Sequence, residues 1–338
     1  MLDLDDPRPA WRVPPESARQ IAAALPPHWA LNEVRGGTVG LGDGGEAGAG
    51  TVDAIRDAEV YIGYGIAREA FLAAPGLRWV HSAGVGVRGA LFPELLASEV
   101  VLTNSRGVQS KAMAETALAA LLHFARGLDH AVRAQARAQW LPGPFDACVG
   151  IGELRGARLG LIGYGSLGRA VADRAGALGM RVTAVRRRTA GFSDSQEAEH
   201  VRVLSGAEGL DEVLRASAYV VVCLPETPET QALLGHDELA RLAPGTVLVN
   251  LSRGPVIDED ALIAALPRLR GVALDVFARE PLEASSPFWS APNVLITPHV
   301  SATTPHHWER QTALVLDNLD RYLRGRPLLN TVDKRIGY

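Results

Sequence analysis

Arg158-Leu159-Gly160-Leu161-Ile162-Gly163-Tyr164-Gly165-Ser166-Leu167-Gly168 runs from a short apolar strand into a glycine turn. The segment that follows, Arg169 to Leu178, places Val171, Ala175 and Leu178 at i, i+4 and i+7, one face of a helix. A second apolar run, Met180 to Val185, closes a strand–helix–strand unit of about thirty residues. The pattern predicts a dinucleotide site. Gly163 makes the tight turn, Gly165 lets the backbone approach a pyrophosphate, and Gly168 lets the helix pack on the strand. Free N–H groups and the helix dipole at that start favour negative charge.

The chain carries its own control for this motif. Gly84-Val85-Gly86-Val87-Arg88-Gly89 has the same glycine spacing and also follows an apolar run, Leu77 to Val80. The next helical stretch there is short and contains Pro93, and the strand after it ends in Thr103-Asn104, which are unsuited to holding an adenosine ribose. The turn after Ile162 therefore stands on its context. An NAD site ends its second strand in Asp or Glu, which accepts from the ribose 2′-hydroxyl. This chain has Arg186-Arg187-Arg188 instead. A carboxylate would repel a 2′-phosphate, whereas a guanidinium binds it through two parallel charged hydrogen bonds. NADP(H) is the favoured cofactor and NAD(H) the alternative. A solvated basic patch is the competing account of the three arginines.

The chain has 338 residues, long for one core and suited to two domains. Of these, 47% are apolar and 21% charged, with a formal net charge of −4, which argues against nucleic acid or an acidic membrane as partner. Cys148 and Cys223 are far apart and lack metal-ligand spacing, so neither a disulfide framework nor a metal site is expected. The acidic start, Met1 to Asp6, lacks the pattern of a secretory signal, and no uncharged apolar stretch is long enough to span a bilayer. The expectation is a cytoplasmic protein.

Residues up to about Gly107 read as a small α/β domain, with strands at Val60 to Ile62, Arg78 to His81 and Val100 to Leu102. The glycine-dense stretch Gly36 to Gly50 reads as a surface loop. Lys111 to Gln139 reads as one long amphipathic helix interrupted only by Gly127, a hinge between domains. Beyond the glycine motif, Tyr219 to Leu224, Thr246 to Leu251, Gly271 to Leu274 and Val294 to Thr297 are apolar runs typical of buried parallel strands. Ligands sit outside the carboxyl ends of such strands. The residues found there are Leu224-Pro225, Ser252-Arg253-Gly254, Asp275 with Glu280 five residues on, and Pro298-His299. Taken singly, Arg253 also reads as a strand-end salt-bridge residue, Glu280 as a surface carboxylate and His299 as a core histidine. Their convergence on one edge is what points to chemistry.

Leu248 to Glu259, Ala273 to Leu282 and Thr297-Pro298-His299 resemble the three signatures of the D-isomer-specific 2-hydroxyacid dehydrogenases. With the glycine motif and Asn104 to Val108, the resemblance extends from about Leu77 to Asn330. It implies an α/β fold: a doubly wound parallel-sheet (Rossmann) dinucleotide domain, 108–298, inserted into a smaller flavodoxin-like α/β substrate domain, 1–107 plus 299–338. The helix from Thr304 onward then returns to the N-terminal domain.

The same resemblance implies roles. Arg253 binds the substrate carboxylate and polarises its keto oxygen, His299 passes a proton to that oxygen, and Glu280 orients the imidazole, roles that suit each side chain. Backbone N–H groups at Val85 and Gly86 cradle the carboxylate. The cofactor set is Gly163, Tyr164, Gly165, Ser166, Leu167, Gly168, Arg186, Arg187, Arg188, Leu224, Pro225, Thr230 and Asp275, the last beside the nicotinamide carboxamide. The implied activity is reduction of a small 2-keto acid such as glyoxylate or hydroxypyruvate to the D-2-hydroxy acid, by a homodimer. Arg88 stands where the family often has Asp, and His81 lies at a variable position, which leaves a bulkier arylpyruvate open. A dinucleotide-sensing, corepressor-like protein on the same fold is the alternative from another class. An NAD-dependent phosphoglycerate-type dehydrogenase is disfavoured, because no C-terminal regulatory domain follows.

Overall fold

A computed structural model describes residues 1–36, 50–187 and 201–338. They form two compact units, Met1–Gln109 with Thr303–Tyr338, and Ser110–Ala302. Most of the glycine-dense loop, residues 37–49, lies outside the described residues, as does Arg188.

The smaller unit holds four parallel strands, β1 (Leu2–Asp3), β2 (Val60–Gly63), β3 (Trp79–Ser82) and β4 (Val101–Asn104), in that spatial order. Glu33 bridges in parallel to Leu2 on the outer side of β1. Counting that bridge as the second strand gives the flavodoxin order 2-1-3-4-5. β1 escaped the sequence reading because two residues beside a run of aspartates carry no periodicity. The three other strands sit within a residue or two of their expected places.

The helix His307–Leu323 belongs to this unit. It packs beside the helix Pro15–Ala23 on a face made by Leu2, Val60, Ile62 and Trp79. Tyr322 stacks on Trp79 at 5.5 Å between ring centroids, and Gln311 Nε2 lies 3.0 Å from His81 Nε2.

The larger unit holds a seven-stranded parallel sheet in the order β11-β10-β9-β8-β5-β6-β7. The strands are β5 (Arg158–Ile162), β6 (Arg181–Arg186), β7 (Val201–Ser205), β8 (Tyr219–Val222), β9 (Val247–Asn250), β10 (Gly271–Leu274) and β11 (Val294–Ile296). Alternate residues of each strand enter two separate cores. Leu159, Leu161, Val221 and Val249 face the helices Ser110–Ala125 and Ser166–Ala177. Ile162, Val220, Val222 and Leu248 face the helices Gly206–Ala216 and Glu259–Ala265. Burial on both faces explains why these strands read as unbroken apolar runs. β7 was not anticipated, because Arg202 and Ser205 break its apolar pattern at the sheet edge.

The long helix expected over Lys111 to Gln139 is two helices, Ser110–Ala125 and Leu128–Ala136. Gly127 between them has φ +66°, a left-handed conformation that ends the first helix and that glycine adopts without steric cost. Both helices lie wholly in the larger unit; the first packs into its core, while the second buries only Asp129. Arg270 staples the break by donating to Asp129 and to the Phe124 carbonyl. Among the described residues, no helix is long and apolar enough to cross a membrane.

Candidate active site

The strand order of the larger unit reverses between β5 and β8, and ligands of such sheets sit at the carboxyl ends of the strands near that reversal. The glycine turn after β5 lies there. Gly163 has φ +106°, and a Cβ on it would lie 2.7 Å from the Cys223 carbonyl oxygen. A Cβ on Gly168 would lie 2.3 Å from the Gly163 oxygen, so that glycine brings helix and turn into contact. At Gly165 a Cβ would meet nothing within 4 Å, and no side chain caps the helix Ser166–Ala177 that starts beside it. An uncapped terminus of a twelve-residue helix next to open space, kept clear by a residue without Cβ, fits a pyrophosphate. Tyr164 and Leu167 turn their side chains into the core, so only their main chain can serve a nucleotide.

Arg186 ends β6 and Arg187 follows it, forming an ion pair with Glu229. After β8, Leu224 packs against the second core, and its Cδ2 would lie 3.1 Å from a Cβ on Gly163. The Pro225 carbonyl accepts from Thr230 Oγ1 at 2.8 Å, and Thr230 Oγ1 accepts from the Thr227 N–H at 2.8 Å. The Thr230 hydroxyl proton is therefore used within its own turn. Thr230 thus braces the loop that follows β8.

The three side chains implied for chemistry sit at the ends of β9, β10 and β11. Asn250 closes β9 and folds the turn: its Oδ1 accepts from the Ser252 N–H and Oγ at 3.0 and 2.8 Å, and its Nδ2 donates to the Arg253 carbonyl at 2.9 Å. Arg253, half-buried, donates from Nη1 to the Ser252 carbonyl at 2.8 Å. Glu280 Oε1 accepts from the Phe277 N–H at 2.9 Å, which presents Oε2 to His299 Nδ1 at 2.7 Å. Burial by itself would raise the Glu280 carboxyl. The hydrogen bonds from His299 and the Phe277 amide, with the charges of His299 and Arg253, outweigh it and hold the carboxyl below its ordinary range.

Asp275 follows directly on β10. It is fully buried, and its carboxylate accepts from Thr297 Oγ1 at 2.6 Å, the Val300 N–H at 2.9 Å and the Ser301 N–H at 3.0 Å. It anchors the loop that carries His299. His299 itself has φ +53°, a left-handed backbone that costs a non-glycine residue about 1–3 kcal/mol and must be held by its surroundings.

Two contributors were missed. Asn250 could have been found, since Asn followed two residues later by Ser marks an Asx turn. Glu259, which accepts from the Ala278 N–H at 2.7 Å and so steadies the approach to Glu280, has no local signal.

In the smaller unit, the amides of Val85 and Gly86 have no acceptor among the described residues, and the Val85 carbonyl accepts from Asn104 Nδ2 at 2.9 Å. The decoy glycine turn is thus tied down while its N–H groups stay available.

A sequence profile of the D-isomer specific 2-hydroxyacid dehydrogenase NAD binding domain matches residues 118–301. The chain belongs to the D-isomer-specific 2-hydroxyacid dehydrogenases. It is therefore an oxidoreductase that works with a pyridine nucleotide. Glyoxylate/hydroxypyruvate reductase B of Pectobacterium atrosepticum is 31% identical over 287 residues, 84% of this chain and 88% of that one. Glyoxylate reductase of Korarchaeum cryptofilum is 32% identical over 272 residues, 79% of this chain and 80% of that one. A 2-hydroxyacid dehydrogenase from Xanthobacter autotrophicus Py2, solved with NADPH and MES, superposes with a TM-score of 0.76 at 30% identity, covering 96% of each chain.

Proposed function

We propose that this dehydrogenase reduces a small 2-keto acid of the glyoxylate or hydroxypyruvate kind to the D-2-hydroxy acid, with NADPH preferred over NADH. The observation that carries the reading is the 2.7 Å contact between His299 Nδ1 and Glu280 Oε2 on the strand-end edge that also bears Arg253. A carboxylate on one imidazole nitrogen fixes the ring and leaves Nε2 as the atom that can give up a proton. The relatives named for glyoxylate and hydroxypyruvate support the substrate class, and the NADPH-bound neighbour supports the cofactor.

In this reading the larger unit holds the dinucleotide through the turn at Gly163, Gly165 and Gly168 and the amides of Ser166 and Leu167. Arg186 and Arg187 meet the 2′-phosphate. The nicotinamide, when bound, supplies the hydride. Arg253 clamps the substrate carboxylate and polarises the keto group, because a guanidinium offers a fork of donors and keeps its charge. His299 protonates the developing alkoxide from Nε2 and takes the proton back in the reverse direction, while Glu280 steadies the imidazolium. The amides of Val85 and Gly86 in the smaller unit are open to an acceptor.

We also infer a homodimer. Leu128, Val132, Trp140, Leu141 and Val149 are all large exposed apolar residues in one stretch of chain, Trp140 being 95% exposed. Apolar surface of that kind marks a protein contact.

The test is turnover of a panel of 2-keto acids with NADPH and with NADH, followed by nicotinamide absorbance. Reduction of glyoxylate or hydroxypyruvate with NADPH, lost in His299→Ala while 2′,5′-ADP still binds, is the expected result. Absence of turnover on every acid by folded protein would favour a dinucleotide sensor, and near-normal turnover in His299→Ala would remove that residue from the mechanism.

A further inference from the structure

Arg187 Nη1 forms an ion pair with Glu229 Oε2, joining the end of β6 to the loop that follows β8. That loop is an ordered turn. The Thr227 N–H donates to Thr230 Oγ1 at 2.8 Å, Thr230 Oγ1 donates to the Pro225 carbonyl at 2.8 Å, and the Thr230 N–H donates to the Thr227 carbonyl at 3.0 Å. Glu229, next to Thr230, is therefore presented toward Arg187 by a braced backbone.

Resting on the NADP(H) reading, we propose that Glu229 sets how strongly the enzyme discriminates between NADPH and NADH, by competing with the 2′-phosphate for Arg187. The Arg187 and Glu229 side chains are 34% and 64% exposed, so their pairing is weak and a better anion can displace it. A phosphate monoester carrying nearly two negative charges is that better anion. Its arrival leaves the Glu229 carboxylate beside a like charge, which costs affinity for the phosphorylated cofactor alone. An unphosphorylated ribose meets no such cost, and its 2′-hydroxyl can donate to Glu229. The carboxylate that dinucleotide sheets usually place at the end of the second strand is absent here, where β6 ends in Arg186. Glu229 supplies its counterpart from the neighbouring loop, so the pair Arg187–Glu229 holds the two cofactors closer in affinity than arginines alone would.

The experiment is calorimetric binding of 2′,5′-ADP and 5′-AMP to the full-length wild type, Glu229→Gln and the double variant Arg187→Gln/Glu229→Gln. Glu229→Gln should bind 2′,5′-ADP about three- to tenfold more tightly, with 5′-AMP unchanged or weaker, and the double variant should lose that gain. Unchanged or weaker 2′,5′-ADP binding in Glu229→Gln, in a wild type that does prefer the 2′-phosphate, overturns the role of Glu229 and leaves the NADP(H) reading standing. A wild type that binds 5′-AMP as tightly as 2′,5′-ADP overturns that reading, and this inference with it.

Discussion

The main-chain N–H of His299 donates to the carbonyl oxygen of Asp275 at 2.8 Å, and the Asp275 carboxylate takes the next two amides, Val300 and Ser301. One buried acid thus closes a ring of hydrogen bonds around a histidine whose backbone is left-handed. Asp275→Asn replaces one acceptor oxygen by an NH₂ group facing amide donors, so the loop must shift. Displacing a proton donor by about an ångström costs on the order of a hundredfold in rate. The expected outcome is a kcat lowered by about that factor with 2′,5′-ADP affinity within about threefold of wild type. Unchanged kcat would show that the loop holds itself without the carboxylate.

Gly254 follows Arg253, and a Cβ placed on it would lie 1.9 Å from the Phe277 carbonyl carbon. Any side chain there pushes back the 277–278 peptide, whose Ala278 N–H donates to Glu259 and which adjoins the Phe277 N–H that holds Glu280. Gly254→Ala should cost about 1–3 kcal/mol of stability and loosen the Glu280–His299 pair, lowering both Tm and kcat. A calorimetric scan with steady-state rates checks it; a neutral substitution would mean that the two strand ends move independently.

Replacing Arg186 and Arg187 together with glutamine should weaken NADPH about tenfold or more while NADH changes by less than about threefold. Equal losses for both cofactors would identify the pair as general surface charge.

Two histidines of the smaller unit make it acid-sensitive. Burial pushes His81 and His307 down to about 4, so both stay neutral in the folded state at pH values where the unfolded chain is protonated. The unfolded state then binds more protons, and stability is complete above about pH 6.5 and falls as pH drops toward 4. Each histidine contributes up to about a tenfold loss in the folding constant per pH unit within that window. Tm measured across it should decline, and His307→Phe should flatten the slope. A flat Tm between those limits in the wild type would contradict the assignment.

Trp140→Asp should convert the proposed dimer to monomers, read by light scattering at micromolar protein. Persistence of the dimer would place the interface elsewhere.

Much of this was legible along the chain because the signals are local. A strand, a glycine turn and a helix occupy consecutive residues, so the Gly163–Gly168 turn could be read directly. The strand-end positions of Arg253, Asp275, Glu280 and His299 followed from apolar runs of ordinary length. The reading stumbled where local signals were weak or ambiguous. β1 is two residues long, β7 is an edge strand with broken alternation, and Gly127 could equally have been tolerated within a helix. The hydrogen bonds by which Thr230 and Asp275 brace their own loops have no local signature in the sequence.

Periodicity and glycine spacing determined by themselves that this protein carries a parallel-sheet dinucleotide-binding unit, since burial on two faces of such a sheet leaves a continuous run of apolar residues. Only tertiary structure decided how Glu280 reaches across nineteen residues to His299, why Asp275 is spent on a backbone loop, and that Arg187 meets Glu229. Such pairings depend on where folded strands end relative to one another. No local pattern of residues encodes that distance.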